Sequence, residues 1–225
     1  MTTLRAPALP VLPYRKPTEG RDYWVFDDVL PDAAAVRARA LARTDWVHPG
    51  KNDAWPGMRL APGLEPAELA HVEALVQRAT GMSKLWVGTA PDGGHLNHNC
   101  IQVVGVDECE QRPHTDSRAL CRYAAVLYLN PDVPDDCGTS FFRQRLPGGQ
   151  KGGNFVMPPH NNLVEALGTR FVPPDSFVED VRVPHKSNRL LLYRANLLHS
   201  ATAYYGQTLE DKRMAAVFFW MAKAA

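Results

Sequence analysis

Residues 114–116 read His-Thr-Asp. An imidazole and a carboxylate at i and i+2 on an extended segment project to the same side of a sheet. They make two-thirds of a facial triad, a ligand set that leaves adjacent coordination positions open on Fe(II). The second imidazole must come from elsewhere in the chain. His199 is the candidate: it follows the apolar run 190–193 and sits late in the chain on an expected strand. An HxD pair alone is common. HxD with a distant strand-borne histidine, in a strand-rich context, is a far more specific signal.

Arg213 opens the apolar strand RMAAVFFWM. Strand alternation puts Ala215, Val217, Phe219 and Met221 on its own side. A guanidinium on an apolar side must meet an anion or remain a costly unpaired charge. Its planar fork suits a carboxylate better than an ammonium would. The plainer alternative is a strand-end arginine that reaches solvent or pairs with Glu210 or Asp211. His95 and His98 form His-x-x-His, which on a strand puts the two rings on opposite faces; surface or pocket-wall histidines are the simpler reading. His160 lies in a loop and reaches the site only if that loop covers it. Trp46, Trp55 and Trp86 fit equally as pocket liners and as core aromatics. Arg112, Arg118, Arg122, Arg143 and Arg145 read first as a solvated rim, and second as a field that steers an anionic small substrate.

These residues need elements to hold them. Pro31 is a good first helical residue and predicts a helix through about Arg43. Pro66 starts a second helix, in which Leu69, Val72, Val76 and Ala79 share one face and Gly81 supplies a left-handed stop. Residues 44–63 read as an irregular loop. From Gly81 onward the rhythm is short strands: 85–89, 99–106, 120–129, 139–143, 177–183, 189–193, 200–205 and 213–221. Turn clusters such as PDGG at 91–94 separate them. That order predicts an α+β protein whose N-terminal helices brace one sheet of a jelly roll. One domain is expected over 1–225. Residues 1–83 form the arm and helices, 84–221 the core, and 144–176 a glycine- and proline-rich insertion expected to act as a lid.

Composition sets the outer bounds. The chain has 225 residues, 45% of them hydrophobic and 22% charged, which fits one globular domain with a core of its own. Nineteen prolines, about 8% against a usual ~5%, favour many short elements over a few long helices. The net charge of +1 gives no field that draws in nucleic acid or an anionic membrane. No apolar run of about 18 residues exists to span a bilayer. The N-terminal stretch, studded with proline, does not read as a secretory signal, so a cytoplasmic protein is expected. The cysteines at 100, 109, 121 and 137 form no CxxC pair and read as free thiols. No GxSxG, GxGxxG or phosphate-loop motif is present.

Taken together, His114, Asp116, His199 and Arg213 resemble the Fe(II)/2-oxoglutarate-dependent oxygenase superfamily, over roughly residues 84–221. The resemblance leans to the prolyl-hydroxylase-like branch. Tyr128-Leu129-Asn130 resembles its YLN strand end, and residues 137–142 resemble its Gly-Gly-x-x-x-Phe strand. The resemblance implies a double-stranded β-helix (a jelly roll), Fe(II) on His114, Asp116 and His199, 2-oxoglutarate with its far carboxylate on Arg213 and Tyr128, and O2 as the other cosubstrate. It further implies a small-molecule or amino-acid-derived substrate. Asp116 favours hydroxylation, desaturation or cyclisation over halogenation, in which relatives lack the carboxylate. Ala215 departs from the pattern, where many members carry serine, and Val103-Val104 stand where aromatics are common. Gln102 and Asn99 are polar residues near that gap. The alternative is a non-catalytic or cupin-like metal-binding jelly roll that holds a metabolite.

Overall fold

The computed structural model describes residues 9–50 and 55–224. The first eight residues of the expected extended arm lie outside the described residues. Ten strands and three α-helices follow in this order: β1 (Tyr23–Phe26), α1 (Ala33–Leu41), β2 (Met58–Leu60), α2 (Pro66–Thr80), β3 (Met82–Trp86), β4 (Cys100–Val104), β5 (Tyr123–Tyr128), β6 (Gly138–Gln144), α3 (Leu163–Leu167), β7 (Phe177–Pro184), β8 (Leu190–Arg194), β9 (His199–Ala201) and β10 (Arg213–Ala224).

The strands form two sheets. One runs β1-β8-β5-β10-β4-β2, with β3 also paired to β10; the other runs β7-β6-β9. Every strand pairing within them is antiparallel among the described residues. The central strands of the large sheet are buried on both faces, which explains their near-continuous apolar sequences. Their outer face carries Ile101, Val103, Leu127, Leu192, Met214 and Phe218, in one apolar cluster with Val36 and Ala40 of α1 and Val72 and Val76 of α2. Their inner face carries Ala124, Val126, Tyr128, Leu191, Tyr193, Ala215 and Val217, which meet Phe141 and Val183 of the small sheet. The alternation read along β10 from Arg213 is therefore the observed one.

Local chemistry sets the element ends. Asp32, not Pro31, caps α1: its carboxylate accepts from Ala35 N at 2.8 Å, so the helix begins two residues later than the proline alone indicates. Pro66 does open α2, and Glu68 reaches back to accept from Glu65 N at 3.0 Å. Gly81 ends α2 in the left-handed region, φ 70°, as its position in the sequence indicated.

Three stretches differ from the sequence reading. β2 lies inside the supposed loop 44–63; three residues between prolines are too few to show a period. The strand expected over 200–205 stops at Ala201, and the chain then turns inward at Tyr204 and Tyr205. The insertion 144–176 is no loose loop. Val156, Leu163, Ala166 and Leu167 join Leu12, Phe142 and Leu198 in a satellite core. Gln144 ties the N-terminal arm to it, accepting from Leu12 N at 2.7 Å and donating to Pro10 O at 2.8 Å. No described helix is long and apolar enough to cross a membrane.

Candidate metal centre and its arginine

His114 and His199 face each other across a two-way antiparallel bridge: each backbone N donates to the other's carbonyl at 2.9 Å. This bridge brings a residue of the 105–122 connection against β9. Asp116 is placed by the next rung, where its N donates to Ala195 O at 2.9 Å. The ligand atoms of His114, Asp116 and His199 consequently lie within 4.8 Å of one another. His199 and Asp116 sit inside the inner face; His114 closes the group from the exposed side.

The ring orientations are fixed by main chain. His114 Nδ1 lies 2.9 Å from Arg112 O, and His199 Nδ1 lies 2.8 Å from Leu197 O. A carbonyl only accepts, so each Nδ1 carries the proton and each Nε2 presents its lone pair. His199 Nε2 stands 3.8 Å from Asp116 Oδ2. That buried carboxylate oxygen has no hydrogen-bond partner among the described residues. Burial raises the Asp116 pKa to about 6, against the opposing pull of His114 and Arg59. Burial first, and the neighbouring His114 second, push His199 well below the usual imidazole range. Two imidazole Nε2 atoms and one orphaned carboxylate oxygen are the donors a divalent cation takes. An orphaned buried oxygen costs about 1–3 kcal/mol unless something satisfies it, and a cation there does so.

Arg213 lies on the same inner face, 5% exposed, across from Val104 and two residues from Ala215. Its guanidinium stands 5.9 Å from the Tyr128 ring centre and 6.0 Å from that of Tyr204. It takes part in no ion pair among the described residues. The local alternative is not realised, since Glu210 offers its backbone carbonyl to Arg37 instead. Tyr128 is fully buried and donates its hydroxyl to Thr139 Oγ1 at 2.8 Å. Its pKa is raised by burial and lowered in part by Arg213. The Tyr205 hydroxyl is buried without a hydrogen-bond partner among the described residues. His185 packs at a tilt against Tyr128 with ring centres 4.6 Å apart and places its Nε2 3.0 Å from Asn130 O.

The structure thus brings His114, Asp116 and His199 into one group and sets Arg213 beside Tyr128. The sequence did not single out Thr139, Tyr205 or His185. Tyr204 and Tyr205 were readable only as the end of a strand, and His185 only as a loop histidine beside a proline. Of the other singled-out residues, His98, Asn99 and Gln102 serve the framework. His98 accepts from Phe219 N at 3.1 Å and packs edge-on against Trp220. Asn99 holds Leu64 at both its N and its O. Gln102 donates to Pro56 O at 3.0 Å. His160 lies on the surface, but its carbonyl accepts from Arg118 at 2.7 Å. At Gly138, φ 155°, a Cβ would sit 2.2 Å from Val183 O, so the strand that presents Thr139 admits only glycine there.

Solved structures of enzymes described as alpha-ketoglutarate-dependent share this two-sheet β fold. The epimerase SnoN from nogalamycin biosynthesis, in complex with Fe3+, alpha ketoglutarate and nogalamycin RO, superposes with a TM-score of 0.51 at 20% identity, over 89% of this chain and 79% of that one. The alpha-ketoglutarate-dependent carbocyclase SnoK from the same biosynthesis gives 0.51 at 15% identity, over 91% and 80%. A Pseudomonas putida prolyl-4-hydroxylase gives 0.48 at 14% identity, over 91% and 94%. The chain itself belongs to the family of unknown function DUF6445, which it matches over residues 10–214. No curated protein matches it.

Proposed function

We propose that this protein is an Fe(II)- and 2-oxoglutarate-dependent oxygenase that hydroxylates a small molecule or an amino-acid-derived compound. The observation that carries the reading is the convergence of two carbonyl-oriented imidazoles on an orphaned carboxylate oxygen, within 4.8 Å. The buried Arg213 supports the cosubstrate, because it faces the same space and pairs with no carboxylate of the described chain. Bound iron and O2 would supply the oxidising power. The chain's own work is to hold the ion on His114, Asp116 and His199, and to anchor the far carboxylate of 2-oxoglutarate on Arg213. Tyr128 orders that end through its ring and its bond to Thr139. The apolar inner face excludes water around both. The same reading makes the two sheets a jelly roll and α1 and α2 its external braces. It also makes 1–225 one domain, and a cytoplasmic one.

The test is anaerobic titration of the protein with Fe(II) and 2-oxoglutarate, followed by succinate assays across free amino acids, peptides and natural-product scaffolds. A weak visible metal-to-ligand band and substrate-stimulated succinate are expected. His199→Ala should lose the band. A band that survives in His199→Ala, or no band in the parent protein, overturns the reading.

A further inference from the structure

A second cationic end lies on the inner face of β10. Arg213 starts the strand and Met221, on the same side, lies eight residues on, roughly 26 Å away at the ordinary strand rise. At the Met221 end a groove of about 390 Å³ opens, lined by Arg118, Arg122, Arg194, Asn196, Met157 and Met221 together with Cys121. It adjoins the His-Asp-His group through the backbone. Arg118 follows Asp116 by two residues, and Ala195, whose carbonyl holds Asp116 N, lies between Arg194 and Asn196.

The three arginines are placed by main-chain oxygens. Arg118 donates to His160 O at 2.7 Å, Arg122 to Ala222 O at 3.4 Å, and Arg194 to Arg21 O at 3.0 Å. A carbonyl fixes a guanidinium without cancelling its charge. Among the described residues the one carboxylate in ion-pair reach of any of them is Asp22, 3.7 Å from Arg194 Nε, and Asp22 is already shared with Arg15 and Arg21. No carboxylate lines the groove among the described residues. Met157 and Met221 supply adaptable apolar surface beside the charges.

We infer that this groove takes the anionic group of the substrate. The inference rests on the oxygenase reading for the word substrate, but its geometry stands apart from it. A carboxylate or phosphate oxyanion sits among Arg118, Arg122 and Arg194, and the apolar part of the molecule lies on Met157 and Met221. The oxidised carbon is then directed toward Asp116. Arg213 holds one anion at the far end of the strand and this groove holds the other. The two cosubstrates are sorted by position.

The test is titration calorimetry of the chain, without added metal, against octanoate, octyl phosphate and neutral octanamide. The preferred oxyanion should bind at least tenfold more tightly than the amide, and the two acidic probes tell carboxylate from phosphate. Arg122→Glu should lose that preference at least tenfold. Arg145→Glu, the same charge change outside the groove, and Arg213→Ala should both keep it. Equal binding of acid and amide, no binding of any probe, or a preference that survives Arg122→Glu overturns the inference. So does a preference lost in Arg213→Ala, which would put the anion at the opposite end. The iron and 2-oxoglutarate band is measured separately. Its absence refutes the oxygenase reading, whereas its presence with failed probes refutes the groove alone.

Discussion

Arg213 is buried to 5% exposure, and no acidic side chain of the described residues pairs with it. A guanidinium in that position is costly alone and favourable only with an anion delivered from outside. Arg213→Ala should therefore weaken 2-oxoglutarate binding by on the order of 3–5 kcal/mol, roughly two to four decades, with Fe(II) affinity nearly unchanged. Arg213→Lys should recover part of this, since it returns the charge without the planar fork. Equilibrium titration of each variant with 2-oxoglutarate separates the two effects; unchanged affinity in Arg213→Ala removes the cosubstrate. Thr139 belongs to the same scale. Tyr128 is fully buried and donates its hydroxyl to Thr139 Oγ1 at 2.8 Å. Thr139→Val keeps the shape and deletes the acceptor. The orphaned hydroxyl should cost about 1–3 kcal/mol of stability in denaturant unfolding, and Tyr128→Phe in the same background should restore much of it. A double-mutant cycle reads this directly.

Between elements, the least obvious contact is the one the N-terminal arm makes with the insertion. A Cβ on Gly153 would lie 1.8 Å from Leu12 O, too close for any side chain unless the arm moves away. The arm is otherwise held by Gln144 and by Asn154, which accepts from Arg15 N at 3.0 Å and donates to Arg15 O at 2.8 Å. Gly153→Ala should detach the arm locally. Proteolysis should cut near Leu12 in the variant and spare the parent protein, while the large sheet stays folded. Such contacts join segments over a hundred positions apart, and nothing in either sequence announces the other. That is why the insertion reads as a loop and is found packed. The helices and central strands were legible because their burial is periodic: α2 shows its face at Leu69, Val72 and Val76, and β10 shows its alternation from Arg213. The His114, Asp116 and His199 group was legible because HxD is local and His199 sits on an apolar strand. The arginine end was legible only in part. Arg213 stands out against an apolar run, but Tyr205 and His185 reach it from turns whose path depends on the whole fold.

The molecule as a whole is a core covered by α1 and α2 on one side of the large sheet and by the small sheet on the other, with Arg213 at one end of the inner face and Arg118, Arg122 and Arg194 at the other. Sealing depends on β1, the edge strand of the large sheet, staying paired to β8. Just after β1, Asp27 binds Lys186 at 3.0 Å and Arg189 at 2.6 Å, both on the turn that leads into β8. Asn188 on that turn also accepts from Leu30 N and donates to Leu30 O. Hydrogen bonding to Arg189 foremost lowers the Asp27 pKa from 3.8 to about 2. The folded value lies below the unfolded one, so the ion pairs contribute their full stability above about pH 4 and lose it as pH falls toward 2. The group is partly exposed, so salt should weaken the effect. Asp27→Asn should melt below the parent protein at pH 6 in low salt. The gap should narrow on acidification between pH 4 and 2 and should also shrink in 1 M salt. Thermal unfolding of both proteins across that range is the measurement, and a gap that is constant with pH would remove Asp27 from the closure of the sheet edge.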